Sequence, residues 1–281
     1  MTSQENRGGR ERATPRPLAT SIASHGDTSV RVRGLSLEKE LIGRASYADM
    51  LMLGVLGRLP DENQRRVLDG CLVALMEAGL NPSSLATRLV SLTAPEQPQI
   101  AMAAGLLTVG DVYVGTVQSC ARLLAEIATS DNPAHAASTA VADLRRRRLR
   151  VPGLGHGRHR TDDPRALAVL TLADKCSNAK KHCDALKILR QAATEQLGRS
   201  LVINVTGAVA GALLDLGFPV EATRPIALAA RAGGLVAHIV EERLHPVAKD
   251  LWTEALARVP YHDPEASAPA HGGRQEVEPW A

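Results

Sequence analysis

Apolar residues recur at helical spacing along most of this chain and seldom alternate. Met50-Leu-Met-Leu-Gly-Val-Leu56, Val67-Leu-Asp-Gly-Cys-Leu-Val-Ala-Leu75 and the stretch from Val117 to Ile127 repeat apolar positions three and four apart, the spacing that lines one face of an α-helix. Alanine and leucine dominate, β-branched runs are short, and Pro60, Pro82, Pro95, Pro133, Pro152, Pro219 and Pro225 separate segments of helix length. The pattern predicts an all-α fold. One helix is expected to start at Pro164, with Asp163 as its cap, and another to cover residues 222–244. Leu201 to Phe218 is the most apolar stretch, yet Asn204 and Asp215 interrupt it, so it reads as a buried helix and not a membrane span. Small residues four apart, Gly207 with Gly211 and Ala104 with Thr108, would let helices approach closely.

Residues 1–29 and 259–281 lack this periodicity and read as disordered tails rich in small, polar and charged residues. The N-terminus has no continuous apolar run of the secretory kind, and Glu5, Glu11 and Asp27 argue against a transit peptide, so a soluble cytoplasmic protein is expected. Cys71, Cys120, Cys176 and Cys183 show neither a CxxC pair nor His/Cys ligand spacing. They read as reduced core residues, and no metal site is expected.

The chemistry concentrates in Val151-Pro-Gly-Leu-Gly-His156-Gly-Arg-His-Arg160-Thr-Asp-Asp-Pro-Arg165. Gly153, Gly155 and Gly157 allow a turn that brings backbone donors close to a ligand, and His156 and the arginines precede a helix N-terminus, whose partial positive charge favours anions. The net charge is only +3, but Arg145, Arg146, Arg147, Arg148, Arg150, Arg158 and Arg160 fall within residues 145–160, across the start of this region. Such density suits a solvated helix face or an anionic ligand. Nucleic acid is the rival, but an aromatic content of 2% leaves few stacking platforms, and no recognition-helix motif is present.

Pro152-Gly-Leu-Gly-His156 and Asp163-Pro-Arg165 resemble the signature of the citrate synthase superfamily, which includes citryl-CoA lyases and the citrate-cleaving module of ATP-citrate lyase. Four more blocks agree in order: Gly34 to Gly43 with Ser46-Tyr-Ala-Asp49, Ala104 to Asp111, Leu201-Val-Ile-Asn-Val205 with Gly207, and Arg231 to Glu241. The resemblance implies a helical fold with a large domain (30–117 and 220–258), a smaller inserted domain (118–219), and a homodimer. It implies a bond made or broken between an acetyl-CoA unit and an oxaloacetate-like 2-oxo acid, with a CoA thioester and a small dicarboxylate or tricarboxylate as ligands. His156 matches the residue that polarises the keto oxygen. Arg160 and Arg231 match carboxylate anchors, Asn81 belongs to a retained substrate block, and Gly153, Gly155 and Arg158 are implied at the CoA moiety. Arg231 and His238, seven residues apart, share a helix face, and His238 reads as a hydrogen-bonded packing histidine.

Three positions depart from the family pattern. Thr206 stands where an aspartate base is usual, and a threonine hydroxyl is too weak an acid to replace a carboxylate near neutral pH. Tyr113 replaces a histidine that holds the enolate, although a phenol can still donate to that oxygen. Glu77-Ala78 replaces an Asp-His pair, removing a substrate-binding imidazole at Ala78. Two readings result: an active lyase or synthase relative with catalytic His156 and Tyr113, or an impaired homologue that binds CoA thioesters or pairs with an active paralogue.

Overall fold

The computed structural model describes residues 18–112, 114–157, 163–176 and 180–262. Its contacts group into two units, one ending at Arg58 and the other starting at Leu59. In the first, strands β1 (Ala23–His25), β2 (Val30–Val32) and β3 (Leu35–Ser36) form an antiparallel sheet in that order. Val32 pairs with Leu35 across Arg33-Gly34, whose φ angles are 51° and 87°. A two-residue hairpin turn of this type needs the left-handed region at both positions, and glycine enters it without strain. β1 lies inside the segment expected to be a tail, so the boundary at residue 29 is too late. Strands of two or three residues are too short to display alternation, which is why the sheet escaped the sequence pattern. A π-helical turn (Leu37–Leu41) and α1 (Tyr47–Leu56) complete this unit. Ser46 and Asp49 cap α1 reciprocally, and the Arg33 guanidinium ties the hairpin to it through the Gly54 carbonyl, at 3.1 Å from Nε and 2.6 Å from Nη2.

The second unit is helical: α2 (Glu62–Met76), α3 (Pro82–Thr93), α4 (Pro98–Leu107), α5 (Thr116–Thr129), α6 (Pro133–Arg146), α7 (Pro164–Cys176), α8 (Lys181–Leu197), α9 (Val205–Asp215), α10 (Val220–Leu244) and α11 (Ala248–Arg258). Starts follow the local cues. Asp61 and Gln64 box the start of α2, Asn132 caps α6, and prolines open α3, α4, α6 and α7. α9 is buried from Val205 to Leu214 and packs on α2, α5, α7 and α8, which makes it the centre of the core. It is shorter than the apolar stretch that announced it. Residues 201–203 run extended, and Ile203 bridges to Leu154.

The all-α expectation holds for this unit. Helices on either side of the expected boundaries at 118 and 219 pack together, α2 on α7 and α9, and α10 on α5. No helix among the described residues is long and apolar enough to cross a membrane.

Candidate active site

The glycine-rich loop is held by the extended segment that precedes α9. The Gly155 N–H donates to the Val202 carbonyl (2.7 Å), the Asn204 N–H to the Gly153 carbonyl (3.1 Å), and the Asn204 side-chain amide to the Gly155 carbonyl (2.9 Å). These backbone groups were expected to face a ligand; they are engaged inside the protein instead. Gly153 and Gly155 both have positive φ, 83° and 82°. At Gly153 space is equally decisive: a Cβ there would lie 3.0 Å from Gly207 Cα and inside contact of Cys120 Sγ. A Cβ on Gly207 would in turn lie 2.5 Å from the Gly153 carbonyl oxygen. The two glycines cross in contact, which seats the loop on the N-terminus of α9. Gly153→Ala is expected to destabilise the fold by about 2–4 kcal/mol, since it combines overpacking with a disfavoured φ; urea unfolding checks this.

Asp163 fastens the far end of the loop. Its side chain is fully buried, and Oδ1 accepts from the Arg165 backbone N–H and Nε, both at 3.1 Å. Oδ2 accepts from Arg165 Nη2 and from the Val205 N–H, both at 3.0 Å, so one carboxylate joins the starts of α7 and α9. Burial pushes this carboxyl upward, but Arg165 and the backbone donors outweigh it and hold the group below the usual carboxylate range. A carboxylate depressed in this way adds stability above its unfolded pKa near ~4, and the contribution disappears as pH falls through the lower native value. Asp163→Asn is therefore expected to lower stability by about 3 kcal/mol at pH 7 and by much less near pH 3. Denaturant titrations at the two values test it, and an equal loss at both would contradict the ionic assignment.

Arg165 also reaches the histidine. Its Nη2 lies 3.3 Å from His156 Nε2; a guanidinium only donates, so in this contact Nε2 accepts and the ring proton sits on Nδ1. Arg231, on α10, lies close enough to Arg165 to feel its charge. It is 4% exposed, and its Nε and Nη1 are buried without a hydrogen-bond partner among the described residues. Burial lowers its pKa first of all, Glu77 opposes that, and the like charge of Arg165 adds to it. Two guanidiniums near enough to repel, one with unmatched buried donors, and an imidazole beside them make a site short of an anion.

Where the resemblance leads one to expect a carboxylate base, the chain carries hydroxyls. Thr206 is buried; its Oγ1 donates to Asn204 Oδ1 (2.8 Å) and lies 2.9 Å from Thr116 Oγ1 at the start of α5. Asn81, expected at the substrate, caps a helix. Its Oδ1 accepts from the Ser83 N–H and hydroxyl and the Ser84 N–H, and its amide donates to the Gly79 carbonyl, which caps α3. Tyr113, Arg158 and Arg160 lie outside the described residues.

In the arginine cluster, Arg146 and Arg147 pair with Asp143 at the exposed end of α6, and Arg145 donates to the Gln196 carbonyl (3.1 Å). Beside that end of α8, Lys187, Arg190, Gln191, Thr194, Glu195 and Ile203 line an open cavity of about 370 Å³. Among the described residues no group of three or more His, Cys, Asp or Glu side chains is placed to hold a metal ion. Cys71, Cys120 and Cys183 are buried free thiols; burial alone raises Cys71 and Cys120 to about 12.

One site residue missed by the sequence reading is Arg165. It lay inside the quoted motif, but Arg160 was preferred as an anchor, and only the fold shows Arg165 against His156 and near Arg231. Glu77 was noted only as a departure, and its closeness to Arg231 is likewise a product of the fold.

Known proteins resemble this chain in sequence and fold. Citryl-CoA lyase from Hydrogenobacter thermophilus superposes with a TM-score of 0.78 at 27% identity, covering 94% of this chain and 100% of that one. ATP citrate lyase from Methanothrix soehngenii, solved with citrate and coenzyme A, gives 0.70 at 17% identity over 94% of this chain and 43% of its own, a likeness of fold. Citrate synthase from Haloferax volcanii is 28% identical over 189 residues, 66% of this chain and 48% of that protein. The chain thus spans about half the length of the curated relatives it matches. The family model for the citrate synthase C-terminal domain matches residues 16–251, and the chain belongs to the citrate synthase family.

Proposed function

We propose that this chain makes or cleaves the carbon–carbon bond between the acetyl unit of a CoA thioester and the keto carbon of a 2-oxo acid resembling oxaloacetate. The convergence of His156, Arg165 and the buried, unmatched Arg231 is the observation that carries the reading. In the cleavage direction the tertiary hydroxyl of a citryl-CoA loses its proton as the neighbouring C–C bond breaks. The bonding pair passes into the thioester enolate, which is then protonated at carbon, leaving acetyl-CoA and the 2-oxo acid. His156 serves the oxygen that becomes the keto group, Arg165 and Arg231 hold carboxylates, and Tyr113 donates to the enolate oxygen. Arg160 is a further carboxylate anchor. Arg158 and the basic cavity on α8 are the candidates for the CoA phosphates, which guanidiniums suit.

The test is turnover by purified protein. Oxaloacetate should form from citryl-CoA, or the condensed CoA thioester from acetyl-CoA with a panel of 2-oxo acids, and His156→Ala should reduce the rate by about 10²–10⁴. Absence of turnover above that variant would leave only the thioester-binding reading, which the hydroxyl pair at Thr206 favours.

The proposal extends to a homodimer. Val236 and Val240 on α10 are 49% and 52% exposed, and with Pro98, Met102 and Ile239 they border an apolar groove. A second copy is the occupant the family relationship supports. Val240→Glu is expected to shift the mass in light scattering from dimer to monomer, and an unaltered dimer would move the interface elsewhere.

A further inference from the structure

Arg231, Gly234 and His238 lie three and four residues apart on α10, so their positions form one stripe along the helix. The end of α2 is laid on this stripe. A Cβ at Gly234 would be 2.8 Å from Glu77 Oε2 and inside contact of the Met76 carbonyl oxygen, so the carboxylate rests on the helix only because residue 234 is glycine. Glu77 is then held by two donors and stands against an imidazole: Oε1 accepts from the Ala78 N–H (2.8 Å) and the Gly79 N–H (2.6 Å), and Oε2 lies 3.1 Å from His238 Nε2, an ion-pair distance without an aligned hydrogen bond. The other ring nitrogen orients the histidine. Arg88, itself 3% exposed, donates from Nε to His238 Nδ1 (3.0 Å) and from Nη1 to Glu242 (2.9 Å), and it also pairs with Glu241. Since Nδ1 must accept from a guanidinium, the ring proton sits on Nε2, the nitrogen that lies 3.1 Å from Glu77 Oε2. The chain therefore fixes a carboxylate, through a buried relay, beside the arginine whose own donors are unmatched.

We propose that Glu77 is a specificity-determining residue: held by His238, it sets a fixed negative charge beside Arg231 that limits how many carboxylates the acid ligand carries. The inference rests on the reading of Arg231 as an acid anchor. Its physical basis is additive charge. Arg165 is already bridged by both Asp163 oxygens, and Ala78 contributes no imidazole, so every further carboxylate on the ligand meets Glu77 with less positive charge to offset it. Partial burial pushes the Glu77 carboxyl upward, but its backbone donors and His238 outweigh that and hold it below the usual range, so the charge persists through neutral pH.

The experiment compares pyruvate, oxaloacetate and citrate, with one, two and three carboxylates, as ligands of the full chain by calorimetry. Glu77→Gln is expected to raise affinity about three- to tenfold for each carboxylate beyond the first, relative to pyruvate. Glu77→Asp, which keeps the charge, should restore the original ranking. His238→Asn, which frees the carboxylate without removing it, should produce a smaller shift in the same direction. Thermal melting identifies variants that fail to fold, and if Glu77→Gln is among them the shift expected of His238→Asn carries the comparison. An unchanged ranking in folded Glu77→Gln would overturn the proposal while leaving the anchor reading intact. If the unaltered protein binds none of the three acids, both fall together.

Discussion

Replacing Arg231 by methionine is expected to abolish most turnover while leaving the protein as stable as before, or more so. In the free protein this guanidinium is 4% exposed and two of its nitrogens find no acceptor among the described residues. It also stands near Arg165, whose like charge adds to the effect of burial. A desolvated, incompletely matched charge detracts from folding stability, and exchanging buried charges for apolar volume is often neutral or stabilising, by up to about 2 kcal/mol here. The same unmatched donors are what an acid ligand would use. Two charge-assisted hydrogen bonds contribute about 3–6 kcal/mol, so kcat/KM should fall by about 10²–10⁴. Urea unfolding and steady-state kinetics on the same preparation decide the matter. A large loss of stability with activity retained would show Arg231 to be a packing residue.

The second large effect is a gain. Thr206→Asp places a carboxylate where the chain carries a hydroxyl pair, Thr206 Oγ1 being 2.9 Å from Thr116 Oγ1. A positioned general base contributes typically ~10²–10⁴ in rate. The readout is exchange of the acetyl-CoA methyl protons with deuterium, followed by NMR, because exchange isolates the proton transfer from the carbon–carbon step. The variant should exchange about 10²–10⁴ faster than the unaltered protein. Near the Asn204 carbonyl oxygen the new charge should lower stability by about 1–3 kcal/mol, a tolerable loss for a domain of ordinary stability. Exchange no faster than in the unaltered, folded protein would mean that Thr206 does not occupy the place of a base.

How much of this was readable in the chain depends on the range of the interaction. The cap at Asn81 was legible: Asn followed by Pro and two serines is a local helix-start signal, and reading it as a ligand contact set a functional analogy above the capping chemistry. The glycine loop was legible as a turn, but the partners of its backbone groups were not, because Val202 and Asn204 lie about fifty residues further along the chain. Arg165 was quoted within the motif and passed over as an anchor, since nothing in its neighbourhood along the chain shows that Asp163 turns it toward His156. The lobes expected at 118–219 and around it followed from the resemblance, and the packing of α2, α9 and α10 across their boundaries was not readable in the chain.

The order of residues alone determined the helices, their starts and stops, the His156 loop and the family relationship, because capping, periodicity and turn chemistry act within a few neighbouring positions. Tertiary structure decided which charges meet. The Arg88 to Glu242 pair spans 154 positions, and the grouping of Glu77, Arg231 and His238 depends on α2 being laid against Gly234 of α10. Burial and charge balance at such a place are set by packing between distant segments, which no local pattern encodes.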